Sequence, residues 1–158
     1  MRTDFTFDNG NLSDATIAAP LLARHRLRAH IFVLADRIGQ PGSLDMAAIR
    51  ALHLAGHAIG NYGAAHINWT CADAETLARE IGAVTWDRIA AAAGAPVTTA
   101  AIPFGYYDAG VLRALRRQGY RRVYSSDGGA WKSRGPMADQ QRWGSAAGRC
   151  RAPHRAPT

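Results

Sequence analysis

Four times between residues 3 and 118 a short run of β-forming residues gives way to a segment whose apolar side chains recur at helical spacing, and a fifth run follows at 121–126. The runs are TDFTFD (3–8), AHIFVL (29–34), HAIGN (57–61), VTTAAI (97–102) and RRVYSS (121–126). The first alternates polar and apolar residues, the period of a strand with one buried face; the others are short and bounded by turn residues. Between them, Ser13 to about Arg26 reads as a helix with Ser13 as N-cap, Ile17, Leu21 and Leu22 on one side, and a bend at Pro20. Leu44, Ala48, Leu52 and Ala55 mark a second helix that Gly56 stops. A third starts near Asp73 with Leu77, Ile81 and Val84 inward, and a fourth spans Asp108 to Gln118 with Val111 and Leu115 inward and Gly119 as C-cap. Strand and helix in strict alternation imply an α/β fold with a parallel sheet, whose chemistry gathers at the carboxyl ends of the strands. Asp8, the 62–66 loop, Pro103 to Gly105 and Asp127 all fall at such ends.

The 158 residues suit one core, with 1–135 expected as the folded domain and 136–158 as an irregular tail without a sustained period. The net charge of +7 owes much to arginines in the second half, among them Arg113, Arg116, Arg117, Arg121, Arg122, Arg134 and Arg142. Such a surface attracts any polyanion by counterion release, and no helix-turn-helix, zinc-finger or RNA-recognition spacing accompanies it, so no specific nucleic acid is expected as a partner. No stretch approaches the ~20 apolar residues of a membrane span, and MRTDFTFDNG lacks the apolar core of a secretory signal, so a cytoplasmic location is the expectation. In that compartment Cys71 and Cys150 read most simply as free thiols.

The segments TFDNGN-SD, PLL, FV, L-x-x-AGH-x-IGN, H-x-N-W-T, E-T-L-x-x-E-I, IPFG-x-YD-x-x-VL-x-x-L and GY-x-x-VYSSD follow one another from about Thr6 to Asp127. In order and spacing this set resembles the polysaccharide deacetylase family, the NodB-homology domain of carbohydrate esterase family 4. The resemblance implies a distorted, incomplete (β/α) barrel and removal of acetyl groups from an N-acetylated polysaccharide or oligosaccharide. It also implies a divalent metal, commonly zinc, held by an Asp and two His spaced i, i+4, with the preceding Asp as general base. Such a metal polarises the acetyl carbonyl and acidifies water while a carboxylate takes the proton.

Carried onto this chain residue by residue, Asp8 matches the base and Asn9 the metal-binding Asp. His66 matches the second His, and Tyr62 stands where the first would be. Ala101 occupies the place of an Arg that orients the base in many members, and the family's late Leu-x-His has no clear match. A neutral amide and a phenol are poor substitutes for carboxylate and imidazole on zinc, so the expectation is a weak or impaired hydrolase. A catalytically inactive glycan-binding relative and a truncated fragment are the alternatives. Tyr62, Trp69 and Tyr106 would stack on sugar rings and Pro103, Phe104 and Gly105 would wall the cleft, or these residues simply pack their loops. Asp8 reads as the site acid or as a turn cap, His30 and His57 as structural histidines, and Asn68-Trp69-Thr70 as a formal glycosylation sequon.

Overall fold

A computed structural model describes residues 5–126. Five strands, β1 (Phe5–Phe7), β2 (Ala29–Val33), β3 (Ala58–Asn61), β4 (Thr99–Ala101) and β5 (Arg122–Tyr124), form one sheet in the order β1-β2-β3-β4-β5. Every pairing is parallel, with Phe5 opposite Ala29, Ile31 opposite Ile59, Asn61 opposite Ala100 and Ala100 opposite Val123. Helices α1 (Ala19–Arg24), α2 (Met46–Leu54), α3 (Ala74–Ile81), α4 (Ala83–Ala93) and α5 (Ala109–Gln118) make the crossovers. The result is half of a (β/α) barrel, the incomplete barrel that the family resemblance implies. Asp127 and the expected tail at 136–158 lie outside the described residues.

The period of two divides the strands between two apolar clusters. Ile31, Val33, Ile59, Ala100 and Ile102 face Ile49 and Leu52 of α2, Ile89 of α4 and Leu115 of α5. Fully burying one such side chain contributes about 1.5–3 kcal/mol, so this helix-covered face supplies most of the apolar stabilisation. The residues between them, Phe32, Leu34, Tyr62 and Ala101, join Tyr124 in a smaller cluster. Ala101, where many relatives place an arginine, is thus packed among apolar groups, and its neighbour in the cluster is a candidate site residue.

Three helix expectations need correction. The chain is helical without a break over 12–24, but Asp14–Ala18 is a wide π turn that runs into α1, with Pro20 just after it. Ser13 makes no side-chain cap bond. Ile17 and Leu21 are exposed while Leu22 is buried, because the wider turn rotates the apolar stripe. The expected helix from Asp73 through Val84 is two helices. Gly82 adopts an extended ψ of −169°, and a Cβ there would lie 2.1 Å from the Ala78 carbonyl oxygen. Val84 is 78% exposed, and α4 buries Thr85, Ile89, Ala92 and Ala93 instead. A simple i, i+4, i+7 count runs straight through that break.

Both strand-region histidines are structural. His57 is buried, and its Nδ1 accepts the Ala29 N–H at 3.2 Å. His30 Nε2 lies 3.2 Å from the Tyr124 hydroxyl. Burial, with the Arg28 charge second, holds His57 below the usual imidazole range. A base whose folded pKa is depressed stays neutral in the fold, so its contribution is present above the unfolded value and is lost as pH falls. Urea unfolding should therefore show stability dropping as pH falls below about 6.5, and a His57→Gln variant should show less of that drop. An equal acid sensitivity in the variant would assign the loss to other groups.

Candidate active site

The carboxyl ends of β1, β3 and β4 bring four sequence-derived candidates together. Asp8 directly follows β1, and Tyr62 directly follows β3. The Tyr62 phenol lies close enough to the Asp8 carboxylate for each to shift the other's pKa, and His66 is near enough for its charge to act on Asp8. The ring centroids of Tyr62 and His66 are 5.1 Å apart, and those of His66 and Phe104 are 4.5 Å apart. Carboxylate, phenol, imidazole and an exposed phenyl ring therefore share one cleft.

Electrostatics within the cleft follow from partial burial. Desolvation pushes the Asp8 carboxyl above the usual carboxylate range, while the Tyr62 hydrogen bond and the His66 charge pull it part of the way back. Tyr62 is pushed up to about 12, chiefly by burial and then by the neighbouring Asp8. The phenol thus stays protonated at neutral pH beside the carboxylate. Nearby, buried Asp14 accepts the Asn11 N–H at 2.9 Å, which shapes the turn after Asp8.

Backbone strain concentrates at the same place. Among the described residues the non-glycine positions with positive φ are Asn9 (75°), Arg26 (56°), His66 (58°) and Phe104 (60°), and all but Arg26 are cleft candidates. Left-handed backbone at such residues costs on the order of 1–3 kcal/mol and persists only where surroundings impose it. Asn9 is half-buried next to Asp8; Pro103 and Gly105 are buried on either side of exposed Phe104, and Tyr106 is exposed just beyond.

Trp69 is the exception among the candidates. It is 1% exposed, and its indole N–H donates to Glu80 at 3.3 Å, so it packs beneath the loop and is not available to stack on a ligand. The residue that sequence reasoning left without a role is Glu80 itself. It is fully buried on α3 and accepts the Ala64 N–H at 3.0 Å and the Ala65 N–H at 3.1 Å. A charged residue at an inward helical position was the available signal. Asn68 caps the short helix at Trp69–Cys71, accepting the Thr70 N–H at 3.0 Å and the Thr70 hydroxyl at 2.8 Å, which gives its amide a structural task. Cys71 is disulfide-bonded, not the expected free thiol, and so is no thiolate donor for the cleft; compartment reasoning from composition could not foresee that. No group of three His, Cys, Asp or Glu side chains among the described residues could hold a metal ion, and no helix among them is long and apolar enough to cross a membrane.

Comparison with solved structures places the fold. A family 4 carbohydrate esterase from Streptomyces lividans, in complex with acetate, superposes with a TM-score of 0.68 at 24% identity, covering 77% of this chain and 60% of the esterase. A polysaccharide deacetylase from Bacillus cereus gives 0.73 at 19% identity, covering 80% of this chain and 40% of that one. A mutant of a family 4 pseudoenzyme with restored enzymatic activity gives 0.67 at 16% identity, covering 76% and 43%. The chain thus spans about half the length of these neighbours. No curated protein sequence matches it. The polysaccharide deacetylase family model matches residues 3–123, most of the chain from β1 into β5, so the protein belongs to the polysaccharide deacetylase family.

Proposed function

We propose that this domain acts on the N-acetyl amide of an amino-sugar polymer as an impaired hydrolase. The observation that carries the reading is the cleft at the strand ends, where a carboxylate with a raised pKa stands beside an imidazole and an exposed aromatic ring. A carboxyl shifted toward working pH is a better proton acceptor, which suits Asp8 to deprotonating a water aimed at the acetamide carbonyl. Phe104, 52% exposed, offers an apolar face to a sugar ring or acetyl methyl.

The residues present do not fit the divalent metal, zinc above all, that the family implies. A catalytic zinc site takes three protein ligands of carboxylate, imidazole or thiolate type. Here Asn9 offers a neutral amide, and the Tyr62 phenol, pushed up to about 12, stays protonated. His66 alone matches its role. Turnover without the metal's carbonyl polarisation should be slow.

The Tyr62 phenol beside Asp8, in place of an imidazole, favours a second reading, a glycan-binding relative without turnover. One structural neighbour is a family pseudoenzyme whose activity returned on mutation, so scaffold and catalysis can separate on this fold. The two readings share one requirement, recognition of the acetamido group. Calorimetric titration with chitin or peptidoglycan oligomers should show affinity at least about 10-fold above that for the same oligomers deacetylated, a difference of about 1.4 kcal/mol. Equal affinity for both, or none for either, would refute the substrate class.

A further inference from the structure

We propose that Glu80 is a positioning residue for the cleft: its buried carboxylate clamps the loop between Tyr62 and Trp69 and so sets Tyr62 and His66 against Asp8. The inference rests on the functional reading only for its glycan arm. Oε2 accepts the Ala64 N–H at 3.0 Å and the Trp69 indole N–H at 3.3 Å, while Oε1 accepts the Ala65 N–H at 3.1 Å. Gly63 lies so close that a Cβ there would be 2.4 Å from Oε2. The near end of the loop is tied separately, because Asn61 Oδ1 accepts the Gly63 N–H at 2.7 Å and Asn61 Nδ2 donates to the Glu80 carbonyl at 3.3 Å. Every tie falls on residues 61–69, and His66, with its left-handed φ of 58°, comes directly after the clamped Ala65 N–H. A strained conformation needs surroundings that over-determine it, and Glu80 supplies three of the bonds that do so.

A carboxylate that merely stabilised the core would also be buried and bonded, so the test must read position apart from stability. Glu80→Gln keeps size and one acceptor oxygen but turns an NH2 group toward one of the N–H donors. In NMR spectra the folded variant should keep its sheet amide signals, while the Tyr62 and His66 ring signals shift and the Asp8 titration midpoint moves. Affinity for a chitin oligomer should fall about 10-fold or more. Ile89→Val, a core change away from the loop, should lower stability without moving those ring signals. Glu80→Gln behaving like Ile89→Val, with Tyr62, His66 and Asp8 signals unchanged, would overturn the proposal. If Glu80→Gln does not fold, hydrogen exchange in the unaltered protein decides: Ala64 and Ala65 amides should exchange as slowly as those of β2, and exchange at open-loop rates would overturn it. A parent that binds no oligomer would sink the functional reading while the NMR arm still reads the clamp.

Discussion

Asn9→Asp combined with Tyr62→His should raise zinc affinity by more than about 100-fold over the parent, beyond the 10–100-fold typical of changes to groups that only support a ligand. The first change supplies a hard anionic donor beside Asp8. The second supplies an imidazole four positions before His66 and removes the phenol that now perturbs Asp8. Together with His66 they make a three-ligand set that leaves a coordination position open. Either change alone should give little, because ligands of one ion act as a unit and their effects are strongly non-additive. Calorimetric zinc titration of the parent, both single variants and the double checks this. Tight zinc binding by the parent would show that other residues complete the site.

Gly63→Ala should destabilise the fold by about 2–4 kcal/mol, a cost that two separate causes produce. Its φ of 99° is a region that L side chains rarely adopt, and the new Cβ would lie 2.4 Å from Glu80 Oε2. The carboxylate cannot swing away without abandoning the Ala64, Ala65 and Trp69 donors, of which the buried Ala64 and Trp69 N–H groups each cost about 1–3 kcal/mol when left unpaired. Gly39→Ala separates the causes. Its φ is 81°, but nothing lies within 4 Å of the added Cβ, so only backbone strain of about 1–2 kcal/mol should appear. Equal losses in urea unfolding of the two variants would mean that the Glu80 contact carries no weight.

The parts of this molecule legible in the sequence were those governed by local pattern. The alternation of β-rich runs and helical periods gave five strands, a parallel sheet and a cleft at their carboxyl ends, because period and burial are linked directly. Asp8, Tyr62, His66 and Phe104 are grouped in the sequence through the resemblance to the polysaccharide deacetylase family that the motifs carry. What pattern missed were effects of tertiary placement. Trp69 looked like a ligand-facing aromatic but lies under the loop because its N–H has a partner in Glu80. Val84 continued an apolar period that Gly82 interrupts, since periodicity does not register one extended ψ. Glu80 stood within a helical motif as an unremarked acid. Its role depends on three donors that lie 11–16 residues before it, a relation no window of local sequence displays.

On the proposed reading, Tyr62 and Asn9, not the scaffold, limit chemistry in this cleft. Acetate release from N-acetylated chitin or peptidoglycan oligomers, measured with saturating zinc for the parent and for the Asn9→Asp, Tyr62→His double variant, tests it most directly. The account predicts release by the parent barely above background and a rise of at least about 10-fold in the double variant. Release at ordinary enzyme rates, about 1 per second or more, by the parent would contradict it. So would a double variant that binds zinc and oligomer tightly yet releases acetate no faster than the parent.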